Sequence, residues 1–150
     1  MDELEFILPV RLVLEEVAFL RLQKHKDLQV LGKLEGRIEA IREAADRGSV
    51  SDVNEADQSF HEMVMTECSG SSQAIRLWRL VMPRVRMLFN MLTPMHESLN
   101  AVAKEHEILL EAVRSGSRIL LQSELEKHIT SQPLAFLRDW SNAHPEGHGL

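Results

Sequence analysis

The sequence predicts an all-α fold, an antiparallel bundle of six to seven helices, and three observations carry that prediction. Leu, Glu, Ala, Arg and Met, all good helix formers, dominate a 150-residue chain that has only seven Gly, five Pro and no Tyr. Apolar residues recur at three- and four-residue steps in one segment after another. No stretch combines strand alternation with hairpin turns. The length suits one domain with a real core, and 44% hydrophobic with 27% charged residues fits a globular chain rather than a disordered one.

The first periodic segment covers about 3–24, with Pro9 expected to separate a leading turn from the main helix. Asp27 is placed to cap a second helix carrying Leu28, Leu31, Leu34, Ile38 and Ile41, which Gly48 ends. Ser51 or Asp52 is the expected cap of a third, over about 52–68. Ser71 or Ser72 opens a fourth, in which Pro83 predicts a kink. "TPMHES" is a connection, a fifth helix covers about 99–114 and stops at Gly116, and Ser117 caps a sixth over about 118–131. Pro133 opens a short last helix, and "SNAHPEGHGL" is expected to be a disordered tail.

The net charge of -6 argues against a large nucleic-acid surface on this chain. Cys68 is the only cysteine, so no intrachain disulfide forms and a cytoplasmic location is expected. No apolar run reaches transmembrane length, and "MDELEFILPV" begins acidic where a signal peptide is basic.

Within this pattern four polar side chains interrupt apolar stripes. Asp57 and His61 share the face of Val53, Ala56, Phe60 and Val64; His106 lies among Val102, Leu109, Leu110 and Val113; His128 lies among Leu121, Leu125 and Ile129. A buried carboxylate or imidazole is costly unless something pairs it. Residues four apart face one way on a helix, so Asp57 and His61 can reach one ion together, and His106 and His128 complete a set of three imidazoles and a carboxylate. That set suits Zn²⁺, Ni²⁺, Mn²⁺ or Fe²⁺, and an ion preferring five or six ligands would also take water or a small carboxylate. Without cysteine ligands it differs from a structural thiolate zinc site. Spacing alone leaves two readings open, a metal site and a buried polar network. His25, His144 and His148 are expected to be solvated, while His96 has a minor claim to line a pocket.

With these residues laid out, the chain resembles the FCD domain, the C-terminal effector-binding domain of the FadR subfamily of GntR transcription regulators. "RLVLE" at 11–15, "DQSFH" at 57–61, "EHEILLEAVRSGS" at 105–117 and "EKHI" at 126–129 are similar to the family's motifs in order and spacing. Ser71 and Ser117 stand where the family often has Asn and Asp, and neither touches the four residues. The resemblance implies a helical bundle around a cavity, with one divalent transition metal on Asp57, His61, His106 and His128 and a small organic acid beside it. It also implies a cavity-facing Arg84, and less strongly Arg11, as guanidinium partners for that acid. The alternative for both arginines is a surface charge or structural ion pair.

On this reading residues 1–131 form the effector-binding and dimerising domain and 132–150 a short terminal helix and tail. The protein would be a homodimeric ligand sensor, not an enzyme, and would meet DNA only through a winged helix-turn-helix domain that these 150 residues do not contain. The effector class stays open among lactate-like hydroxyacids, dicarboxylates, sugar acids and amino acids. A metal-dependent bundle enzyme and a metal-free interaction module are the competing readings. No histidine has Glu three residues before it, against a di-iron bundle, and His-Glu-x-x-His is absent. Glu62 and Glu105 are expected to be turned about 100° away from the neighbouring ligands, too far to act as a general base.

Overall fold

The computed structural model describes residues 2–144, with side chains from Leu4 onward. Its elements are α1 (Asp2–His25), α2 (Leu28–Asp46), α3 (Val50–Cys68), α4 (Ser72–Leu92), a 3₁₀ turn (Thr93–Met95), α5 (Asn100–Ser115), α6 (Arg118–Glu126), a π-helical turn (Lys127–Ser131) and α7 (Gln132–Ala143). No strand occurs among the described residues, so the all-α bundle expected from the sequence is the fold. None of the helices is long and apolar enough to cross a membrane. The expected tail starts three residues too early, since 141–143 continue α7 to Ala143, and its part beyond residue 144 lies outside the described residues.

Capping follows the sequence closely. Asp27 Oδ1 accepts from the N–H groups of Gln29 and Val30, Ser71 Oγ from Ala74 and Ser117 Oγ from Leu120. Gly48 and Gly116 end α2 and α5 with φ of 71° and 72°, the left-handed region that glycine enters without Cβ strain. Two expectations change. The cap of α3 is Ser49, whose Oγ accepts from Asp52 N–H, so the helix starts before Ser51. Pro9 does not divide α1, which runs unbroken through it. Pro9 and Glu5 are both exposed, so the carbonyl that loses its helical partner faces water.

α3 packs between α1, α2 and α4; α2 also meets α5, and α1 reaches α5, α6 and the π turn. Phe19, Leu34, Ile41, Phe60, Trp78, Leu109 and Leu110 are fully buried where these faces meet. α7 packs mainly on α4 and the π turn, closing the bundle on one side. The sixth helix expected over about 118–131 is therefore α6 plus one wider turn that continues directly into α7.

Candidate metal centre

α3 carries Asp57 and His61 one turn apart, α5 brings His106, and the π turn brings His128. One donor atom from each lies within 4.8 Å of all the others. His61 and His106 are completely buried, Asp57 is 4% exposed, and the side chain of His128 is 9% exposed. His61 Nε2 is 3.1 Å from His128 Nε2 and 3.2 Å from His106 Nε2, while Asp57 Oδ1 is 3.1 Å from His106 Nε2. Phe60 packs edge-on against both His61 and His106, with centroids 5.4 and 4.7 Å apart, and so fixes two of the rings.

The outward nitrogens decide what the inward ones can do. His106 Nδ1–H donates to the carbonyl of Val102 at 2.7 Å, and a carbonyl only accepts. His61 Nδ1 lies 2.7 Å from Glu15 Oε2. Burial alone would raise the Glu15 pKa, but the charges and hydrogen bonds of Arg11 and His61 hold it well below the usual carboxylate range. Glu15 is therefore ionised, His61 Nδ1 carries the proton, and His61 Nε2 presents a lone pair to its neighbours. Burial pushes His61 down to about 4 and lowers His128, so both are neutral near pH 7. Burial also opposes ionisation of Asp57, yet His106 and His61 hold its pKa low. The result is a carboxylate beside the His61 lone pair, and one Asp57 oxygen, Oδ2, is buried without a hydrogen-bond partner. A cation placed there would balance it. In its absence a proton on His106 serves, since its bond to Asp57 raises the His106 pKa against the effect of burial. A neutral or proton-releasing imidazole set with one carboxylate is a donor set that can hold a divalent metal ion.

Beside the cluster is a cavity of about 30 Å³, walled by Asp57, His128, Asn54, Phe89, Thr93, His96, Glu105, Gln132 and Phe136 among others. His96 thus lines it, as the sequence allowed. The two arginines part company. Arg84 is exposed on α4 and is not among the cavity-lining residues, a correction to the expected cavity-facing side chain. Met82, Val85, Leu88 and Leu92 set the buried stripe of α4, and a position next to Val85 is rotated about 100° from it. Arg11 does not line the cavity either, but it is wholly buried behind one of its walls: its Nε donates to Glu15 Oε1 at 2.7 Å, its guanidinium sits 5.5 Å over the Phe89 ring, and Nη1 and Nη2 have no hydrogen-bond partner.

Sequence reasoning missed two carboxylates. Glu15 also accepts from Trp78 Nε1 at 2.6 Å, so it ties α1, α3 and α4 together behind His61. An Arg and a Glu four apart on an otherwise apolar helix was the available signal. Glu105 is the second, and the expectation that it turns away is corrected: it lines the cavity, 3.4 Å from His128 Nδ1 and 3.3 Å from His96 Nε2, and accepts from Gln132 Nε2 at 2.6 Å. The rotation away from its neighbour His106 points it towards a different histidine. Glu62 does turn out, to an exposed pair with Arg79 at 2.8 Å.

The sequence model of the FCD domain matches residues 6–131 of the chain, a span that contains all four clustered residues. A comparison with curated proteins gives no match.

Proposed function

The chain belongs to the FCD domain family, the ligand-binding domains of GntR-type transcription regulators, and on that premise we propose that it senses a small organic acid through a divalent metal. Asp57, His61, His106 and His128 would hold the ion, which would supply positive charge to anchor a carboxylate. The convergence of three imidazoles on Asp57, two of them oriented by bonds to Val102 and Glu15, is the observation that carries the proposal. Arg11 supports the acid half: two buried guanidinium nitrogens without partners sit against Phe89, a cavity-wall residue. A planar pair of donors fits a carboxylate. Residues 1–131 would form this sensing and dimerising unit in the cytoplasm, with DNA contact made by a separate winged helix-turn-helix domain.

The signal would be a change of helix packing. Acid binding can shift an equilibrium only if the two arrangements differ in affinity for it, and α3, α5 and the π turn, which meet at the site, also contact α1. α1 and α4 pack together and expose Phe6, Val10, Val13 and Val17 on one and Leu77, Leu80 and Met87 on the other. Those of α1 recur at three- and four-residue steps, and those of α4 at steps of three and seven, which suits a helical homodimer seam.

The test is metal content by plasma mass spectrometry on protein purified without a His-tag or nickel column, beside His106→Ala and His128→Ala. We expect about one equivalent of a transition metal in the parent protein and its loss in both variants. Parent protein that takes up no Zn²⁺, Ni²⁺ or Mn²⁺ when each is added would leave the four residues as a polar network and end the metal reading.

A further inference from the structure

Part of the cavity wall, Gln132, Pro133 and Phe136, comes from α7, which lies beyond the segment matched to the family. Its Gln132 donates to Glu105 at 2.6 Å, and its Phe136 ring packs edge-on against His96, with centroids 4.9 Å apart. The cavity of about 30 Å³ is small, and Gln132, Pro133 and Phe136 of α7 bound part of it. Outside it is a groove of about 250 Å³ walled by Ile108, Glu124 and Lys127 among others. Glu105, His128 and Gln132 border both spaces, so they form the partition between them.

We propose that α7 limits the effector to acids of two or three carbons, with Phe136 and Gln132 as the residues that set the limit. The inference rests on the metal and carboxylate reading above. A longer acid must displace Phe136 or break the bond between Gln132 and Glu105 to reach the outer groove. The polar side chains of the wall are already engaged with one another, and on the reading above Arg11, behind Phe89, is taken by the first carboxylate. Thr93 Oγ1 donates to Asn54 Oδ1 at 2.6 Å, and Asn54 Nδ2 donates to Asn90. The two His96 nitrogens face the Thr93 carbonyl at 3.0 Å and Glu105 at 3.3 Å. Passage into the groove would also bring a second carboxylate past two like charges, Glu105 and Glu124, against one cation, Lys127. Dicarboxylates and sugar acids are thereby disfavoured against acetate-, glycolate- or lactate-sized molecules.

The experiment uses protein loaded with Zn²⁺ and thermal-shift titration with acetate, glycolate, lactate, malate and citrate, on the parent, Phe136→Ala and Gln132→Ala proteins. Zinc content and acid-free melting temperature show that each variant folds. We expect the best two- or three-carbon acid to bind the parent more tightly than malate or citrate by at least on the order of tenfold, and both variants to narrow that ratio. Equal or tighter binding of citrate by the parent overturns the size limit and leaves the carboxylate reading standing. An unchanged ratio in both variants overturns the role of α7. Binding of no acid by zinc-loaded parent protein overturns the carboxylate reading and the size limit with it.

Discussion

Glu15 concentrates the chemistry of the site in one buried side chain. It takes hydrogen bonds from Arg11, His61 and Trp78 with no exposed surface. Glu15→Gln keeps the shape but cannot hold the His61 tautomer as strongly, and we expect metal affinity to fall about 10–100-fold, read by competition with a chromophoric chelator. Because the folded pKa of Glu15 lies below its ordinary value of 4.5, its contribution to stability is present above that value and is lost as pH falls through the folded one. Asp57 and Glu105 are depressed as well and add to the same acid window. The denaturant midpoint of metal-free protein should drop as pH is lowered from about 5 to about 2, with a flatter slope in Glu15→Gln. Metal binding should weaken on acidification too, because the ion must displace the proton that Asp57 holds on His106; calorimetric titration with Zn²⁺ at two pH values reads this. The sequence exposed Asp57, His61, His106 and His128 because each breaks an apolar stripe on its own helix. It hid Glu15 and Glu105 because an acidic residue beside a polar neighbour looks like solvated surface until the facing helix is known.

Among the elements, the starts and stops were the most legible, since a cap is a local hydrogen bond between residues a few positions apart. Gly116 shows what such a position demands. At φ 72° only ordinary van der Waals contact, 3.6 Å to Lys26 Nζ, would meet an added Cβ, so Gly116→Ala acts through backbone strain and should cost about 1–2 kcal/mol. Gly36, at an exposed position inside α2 with open space around it, is the converse, and Gly36→Ala should stabilise by roughly 0.5–1 kcal/mol. Denaturant unfolding of the two variants checks both signs. The π turn was not legible. A wider turn is one residue out of helical phase, and it presents His128 to the cluster while Thr130 Oγ1 donates back to the Glu126 carbonyl at 2.6 Å. Nothing in "EKHITSQ" distinguishes that from an ordinary helix, so the sequence reading carried the sixth helix through it to about residue 131 and placed a break before Pro133 where the chain continues into α7.

For the whole molecule, the exposed apolar residues of α1 and α4 lead to an expectation about assembly. Val13 is 65% and Leu80 74% exposed, too much for two large apolar side chains on helices that face nothing. Val13→Glu and Leu80→Glu should weaken a homodimer by on the order of tenfold or more while leaving the fold intact, measured by sedimentation equilibrium beside circular dichroism. A parent protein that is monomeric at high concentration would remove the dimer from the proposal. The sequence by itself determined the helix class, most of the caps and which four donors interrupt apolar faces, because periodicity and capping are properties of neighbouring residues. Only the tertiary structure decided that the donors meet, that Arg11 lies buried against the cavity wall while Arg84 faces out, and that Glu105 reaches His128. Those depend on how helices far apart in the chain pack and on a few degrees of helical phase, to which no short stretch of sequence is sensitive.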